Sequence, residues 1–263
     1  MPLQQSHSHA GSLETRGLTI RFGGHVAVNA VSCAFHPGTL TAIVGPNGAG
    51  KTTYFNLISG QLKASAGQVL LNGRDISGLT VSARTHAGLG RAFQLTSLFP
   101  HLPVLENIRL ALQSRRHLGL DMWHVWNHHK ALIERAEHVL EAVALSTRRD
   151  VPASALPHGD QRKLEVGMLM ALDPDVYMFD EPTAGMSVDE VPVILDLIRS
   201  LKTRRDKTIL LVEHKMDVVR ELADRIIVLH NGTLMADGEP ESVIASPVVQ
   251  QAYLGLAPVE EAA

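Results

Sequence analysis

Apolar and polar positions near the N-terminus alternate. Leu18, Ile20 and Phe22 alternate with Thr19 and Arg21, and Val31, Cys33 and Phe35 with Ser32 and His36. Period two with β-branched and aromatic residues predicts half-buried strands, and it turns Cys33 inward as a small core residue. Pro37-Gly38 predicts a turn. Leu40–Val44 is an unbroken apolar run, followed by glycines and then by a helical pattern from Lys51 to Ile58. Val69–Leu71 before Asn72-Gly73 predicts another strand and turn.

From about Thr80 to Asp150 the period changes. Leu132, Ala136, Val139, Leu140 and Val143 recur at helical spacing with charges between them. This predicts a mainly helical insertion, placed at about residues 95–165. Strand-length runs then return at Val176–Phe179, Ile209–Val212 and Ile226–Leu229. The first two lack alternation, as parallel strands buried on both faces do. Helical patterns at Gln161–Ala171, Val188–Arg204 and Met216–Ala223 lie around these strands, and Asn231-Gly232 signals a hairpin. The expected fold is α/β, with a mainly parallel sheet, an N-terminal antiparallel β subdomain and a helical insertion subdomain.

Length and charge narrow the reading. A chain of 263 residues fits one large domain. That domain is expected at 13–256, between a disordered polar tail at 1–12 and a second tail at 257–263. His7 and His9 lie in the first tail, where two mobile imidazoles make a poor metal site. Lys plus Arg total 24 and Asp plus Glu 27, a net charge of −3, so charge offers no case for nucleic acid as a partner. The single cysteine excludes a disulfide framework and fits a reducing compartment. No apolar run approaches the roughly 20 residues that span a bilayer. The N-terminus also lacks the basic-then-apolar order of a secretory signal, so a cytoplasmic chain is expected.

Chemistry concentrates in two places. Gly45-Pro46-Asn47-Gly48-Ala49-Gly50-Lys51-Thr52-Thr53 matches G-x-x-x-x-G-K-[ST] between a predicted strand and a predicted helix. Glycine-rich backbone lets successive N–H groups face one concavity, and the helix N-terminus adds partial positive charge for phosphates. Lys51 is placed to reach the β- and γ-phosphates, and Thr52 to offer a hydroxyl to Mg²⁺. The second place is Val176–Phe179, an apolar strand that ends in Asp180 and Glu181. Asp180 is expected to hold Mg²⁺, and Glu181 to polarise the attacking water as general base. Together they predict a P-loop NTPase core that hydrolyses a nucleoside triphosphate.

The order of this loop, Phe93-Gln94, Leu156–Gln161, Asp180-Glu181, Ala184-Gly185-Met186-Ser187 and Glu213-His214 resembles the ATP-binding cassette family from about Leu18 to Gly255. The resemblance implies ATP and Mg²⁺ as ligands and further roles position by position. Phe22 matches the aromatic that stacks on adenine, although an alternating strand could equally bury it. Gln94 matches the glutamine that meets Mg²⁺ and water and senses the membrane subunit, and His214 the histidine that contacts the γ-phosphate. Gly185, Met186 and Ser187 fall in the loop that crosses to the other ATPase subunit.

Arg21-Phe22-Gly23-Gly24, Gly90-Arg91-Ala92-Phe93-Gln94, Leu164-Glu165-Val166-Gly167 and Ala252-Tyr253-Leu254-Gly255 are similar to one branch, the importers of branched-chain amino acids, amides and urea. That branch implies two membrane permease subunits, a periplasmic binding protein, and a location on the inner face of the membrane. Lipid or polysaccharide transport is the rival within the family. Soluble cassette ATPases of DNA repair or translation generally carry long coiled coils or two cassettes in one chain, and neither is seen here.

One segment departs from the family. Where the signature reads Leu-Ser-His-Gly-Gln in this branch, the chain has Leu156-Pro157-His158-Gly159-Asp160-Gln161. The resemblance gives this segment the task of completing the site of the opposite subunit. Pro157 removes a hydroxyl and a backbone N–H, while remaining comfortable at a helix start. Asp160 either competes with the γ-phosphate at that helix end or turns outward. The expectation is functional asymmetry: a heterodimer with a second ATPase subunit of sound signature is favoured over a homodimer. The competing reading is a subunit gated by ATP with little hydrolysis of its own. His124 and His128, spaced i, i+4, lack a third metal ligand, and Trp123 and Trp126 fit either a small core or a surface for a membrane subunit.

Overall fold

The computed structural model describes residues 11–92, 98–115 and 130–254, the last three as backbone only. The alternating N-terminal segments pair with each other. β1 (Leu13–Phe22) runs antiparallel to β2 (His25–Phe35), with Leu13 opposite Phe35 and Phe22 opposite His25. β3 (Leu40–Val44) leaves this hairpin, enters a different sheet and feeds α1 (Lys51–Ser59). β4 (Ala66–Leu71) returns to β1, and the short β5 (Arg74–Asp75) extends it through the Asn72-Gly73 turn. After α2 (Val81–His86) comes β6 (Leu89–Ala92).

Helices follow: α3 (Val104–Arg115), α4 (Lys130–Ala142) and α5 (His158–Leu172), with α3 packed against the other two. The chain then alternates through β7 (Val176–Asp180), α6 (Val191–Lys202), β8 (Thr208–Val212), α7 (Met216–Leu222) and β9 (Arg225–His230). β10 (Thr233–Gly238), α8 (Pro240–Ala245) and α9 (Pro247–Leu254) complete it.

Among the described residues the strands form two sheets. The antiparallel one has the order β2-β1-β4-β5. The other has the order β10-β9-β3-β8-β7-β6, parallel throughout except for the β9–β10 hairpin at Asn231-Gly232. The unbroken apolar strands prove two-faced. Val176 and Met178 of β7 pack toward α1 and the antiparallel sheet, while Tyr177 and Phe179 pack toward α3, α5 and α6. Such a strand has no polar face to reveal its period. Cys33 is buried, and burial pushes its thiol above the ordinary value.

Three boundaries differ from the sequence pattern. β6 lies inside the stretch read as helical. Leu89-Gly90-Arg91-Ala92 is too short for periodicity to register, and its pairing with β7 makes it a strand. Gly90 permits close packing there, since a Cβ would sit 2.5 Å from a Leu169 methyl. α5 begins at His158, earlier than the pattern at Gln161 suggested, with Pro157 as its N-cap residue. α6 begins at Val191 rather than Val188: ahead of it Ser187 donates its N–H and its hydroxyl to the Glu190 carboxylate, and Val188 is left in solvent.

Candidate nucleotide site

β3, β7 and β8 are neighbouring parallel strands, so their C-terminal ends open on one edge of the sheet. Gly45 follows the first, Asp180 ends the second, and Glu213 follows the third. A crevice at this edge is where open α/β sheets take ligands.

The Gly45–Thr53 loop needs its glycines for two reasons. Gly45, Gly48 and Gly50 have φ of 150°, 78° and 95°, which side chains disfavour. A Cβ on Gly45 would also lie 2.1 Å from the Leu229 carbonyl oxygen, and one on Gly50 2.6 Å from that of Ala27. Asn47 and Gly48 are exposed at the loop's crest, Pro46 is half-buried, and Ala49 is buried beneath it. Gly50 caps α1 without a side-chain hydrogen bond, and the first turn of α1 carries no acid. Its leading N–H groups therefore face the crevice at the positive end of the helix. Thr52 is exposed on that turn and Thr53 half-buried.

Lys51 is buried, and its Nζ donates to the carbonyls of Gly45 at 2.7 Å and Pro46 at 3.0 Å. Burial lowers its pKa, and the nearby carboxylates of Glu181 and Asp180 pull the other way. Burial raises Asp180 above the ordinary value, opposed by an ion pair with Arg91 at 2.6 Å. Glu181 has φ of 51°, a strained value for a side-chain-bearing residue, and its N–H donates to Val212 O. The turn carries the carboxylate to His214, whose Nε2 lies 2.8 Å from Glu181 Oε1.

Sequence reasoning missed two residues that shape this site. Arg91 stands in the sequence only as part of a motif, yet it ties Asp180 to α1. Glu213 has no role that the sequence assigns. It is buried, accepts the Thr183 hydroxyl at 2.7 Å, and accepts the His214 N–H at 3.0 Å. It thereby joins the loop after β7 to the loop after β8. The signal for Glu213 was a carboxylate directly after an all-apolar strand.

Phe22 is 51% exposed beside the turn of the β1–β2 hairpin. That removes the core alternative. The same hairpin reaches the loop through Ala27, whose carbonyl lies against Gly50. The departing signature segment lies at the start of α5. Asp160 turns to Lys163, 2.8 Å away, and Gly159 is buried against Glu190, with His158 beside Gly185. Gln94, Trp123, His124, Trp126 and His128 lie outside the described residues.

The residues present fit a nucleoside triphosphate with a divalent cation. Among the described residues no group of three or more His, Cys, Asp or Glu could hold a metal by itself. One hydroxyl and one carboxylate suit Mg²⁺ when it shares its sphere with phosphate oxygens and water. The uncapped helix end and the Lys51 cation supply what the phosphates need. Among the described residues, no helix is long and apolar enough to cross a membrane.

Comparison with known proteins agrees with this geometry. The ABC transporter family profile matches residues 28–184, more than half of the chain. The high-affinity branched-chain amino acid transport ATP-binding protein LivG of Escherichia coli (strain K12) is 38% identical over 248 residues, covering 92% of this chain and 97% of LivG. BraF of Pseudomonas aeruginosa, with the same description, is 37% identical over 250 residues, again 92% and 97%. The ADP conformation of MJ1267, an ATP-binding cassette of an ABC transporter, superposes with a TM-score of 0.78 at 30% identity, covering 93% of this chain and 98% of that one. By profile, identity and fold alike, the chain belongs to the ABC transporter family as an ATP-binding, ATP-hydrolysing subunit.

Proposed function

We propose that the chain hydrolyses Mg·ATP on the cytoplasmic face of the membrane and energises import of branched-chain amino acids or related amides. The observation that carries this reading is its 38% identity to LivG across nearly the full length of both chains. Its proposed partners are two membrane permease subunits, a second ATPase subunit and, indirectly, a periplasmic binding protein. Gly45–Thr53 cradles the phosphates, Lys51 neutralises their charge, and Phe22 stacks on the adenine. Thr52, Asp180 and Gln94 would hold Mg²⁺, which would supply the positive charge that draws electron density from the γ-phosphate. Glu181 accepts a proton from the attacking water, and His214 steadies both Glu181 and the γ-phosphate.

The second ATPase subunit is proposed to be a different chain. Pro157 offers no hydroxyl to an opposite site, so two copies of this chain would carry the weakness twice. The pairing of Asp160 with Lys163 supports a milder defect than a free carboxylate at the helix end would cause. The test is uptake of labelled leucine, urea and acetamide by cells expressing this chain with its neighbouring permeases. Leucine uptake that disappears with Glu181→Gln supports the proposal. Uptake of none of the three, from subunits that assemble, overturns it.

A further inference from the structure

The Arg91 side chain reaches both Asp180 and α1, the helix that carries Thr52. Its Nη2 lies 2.6 Å from Asp180 Oδ2, and its Nη1 donates to Asn56 Oδ1 at 2.7 Å and Ser59 Oγ at 2.9 Å. The guanidinium also lies over the Phe55 ring, 4.9 Å from its centroid. Asn56, Ser59 and Phe55 all belong to α1, which carries Thr52 on its first turn. The Arg91 and Asp180 side chains are only 9% and 14% exposed. A guanidinium is a flat, rigid fork, so its two ends hold Asp180 and α1 at one separation. Arg91 engages the Asp180 carboxylate through Oδ2.

We infer that Arg91 is a positioning residue that sets the spacing between Thr52 and Asp180. It acts through Asp180 and α1 and does not itself touch nucleotide or metal. Lysine could supply the charge but not the fork. The inference rests on the proposed roles of Thr52 and Asp180 in holding Mg²⁺.

The test is Mg²⁺ titration of binding of a fluorescent N-methylanthraniloyl ATP to the full chain. The variants are Arg91→Gln, Arg91→Lys, Asp180→Asn and the double variant Arg91→Gln/Asp180→Asn. Hydrogen-bond partners of metal-holding carboxylates are worth about 10–100-fold in metal affinity, so Arg91→Gln should raise the half-saturating Mg²⁺ by about tenfold. Arg91→Lys should also raise it, binding in EDTA should be unchanged, and Arg91→Gln should add nothing once Asp180 is Asn. An unchanged Mg²⁺ requirement overturns the inference. So does an equal loss with and without Mg²⁺, which would mark a purely structural tie. If Asp180→Asn itself leaves the requirement unchanged, the proposed site fails rather than the inference. Should Arg91→Gln not fold, Asn56→Ala, which loosens the α1 tether and keeps the ion pair, is to show a rise in the same direction.

Discussion

The imidazole of His214 lies 2.8 Å from the Glu181 carboxylate, both side chains about 40% exposed. An exposed pair of this kind contributes little to stability, so its consequence is chemical. Glu181→Gln should lower ATP turnover by about a thousandfold and leave nucleotide binding intact, as loss of a general base does. His214→Ala should also suppress turnover, with the melting temperature unchanged. Steady-state phosphate release and a thermal melt check both. Full turnover in Glu181→Gln would remove the base from this position.

Phe22 offers a clean binding test because it supports little else. At 51% exposure its truncation costs little packing. Phe22→Ala should weaken ATP and GTP alike by about tenfold, in line with 1–3 kcal/mol of base stacking per aromatic. Calorimetric titration reads this. Unaltered affinity would assign the base to another wall of the crevice.

Two glycines should respond very unequally to the same methyl group. At Gly45 the added Cβ meets the Leu229 backbone at 2.1 Å and φ is 150°. Nothing there is free to move, so Gly45→Ala should cost about 3 kcal/mol or more and abolish nucleotide binding. At Gly159 the Cβ meets the tip of the Glu190 side chain at 1.9 Å, and the backbone is helical. Glu190 can swing away, so Gly159→Ala should shift stability by less than about 1 kcal/mol. Urea denaturation with a nucleotide titration separates the two.

Pro157→Ser restores the hydroxyl that the signature lacks. ATP turnover by the chain alone should then rise, and rise more steeply than linearly with concentration as dimers form. No gain would show that Gly159 and the helix end suffice, and the case for a different partner chain would fall.

Asp173 should govern acid sensitivity. It ends α5 in the left-handed region and pairs with Arg204 at 2.6 Å, Lys207 at 3.2 Å and Arg115. Burial alone would push its pKa up, but Lys207, Arg115 and Arg204 outweigh it and hold the carboxyl below the ordinary value. A depressed folded pKa stabilises above the unfolded value, near 3.9, and that contribution is lost as pH falls toward the folded value. Asp173→Asn should therefore cost about 2 kcal/mol at pH 7, with the gap to wild type closing below about pH 4. A gap that does not narrow at all as pH falls from 5 to 3 would assign the effect to packing.

Much of the site was legible because its chemistry is local. Gly45–Thr53 carries loop, helix start, cation and hydroxyl within one contiguous segment, and any fold that continues strand into helix there presents them together. Asp180 and Glu181 were legible as acids closing an apolar strand. Period two marked β2 and helical spacing marked α4 because each buries mainly one face, whereas β1 buries Leu18, Thr19 and Ile20 in succession and leaves Phe22 exposed.

What stayed hidden depends on partners distant in the chain. β6 is four residues long and becomes a strand only by pairing with β7, some ninety positions later. Arg91 gains its place from the same pairing, since its fork has no meaning until Asp180 and α1 lie on either side of it. Glu213 likewise matters through Thr183, thirty residues away. The placement of Phe22 in solvent could not be read from alternation, which marks two faces but not which one is covered beside a hairpin's turn. The sequence by itself determined the loop chemistry, the strand-and-helix alternation and the family. Only the tertiary structure decided which charged groups share the low-dielectric edge of the sheet, because burial and ion pairing belong to space rather than to sequence order.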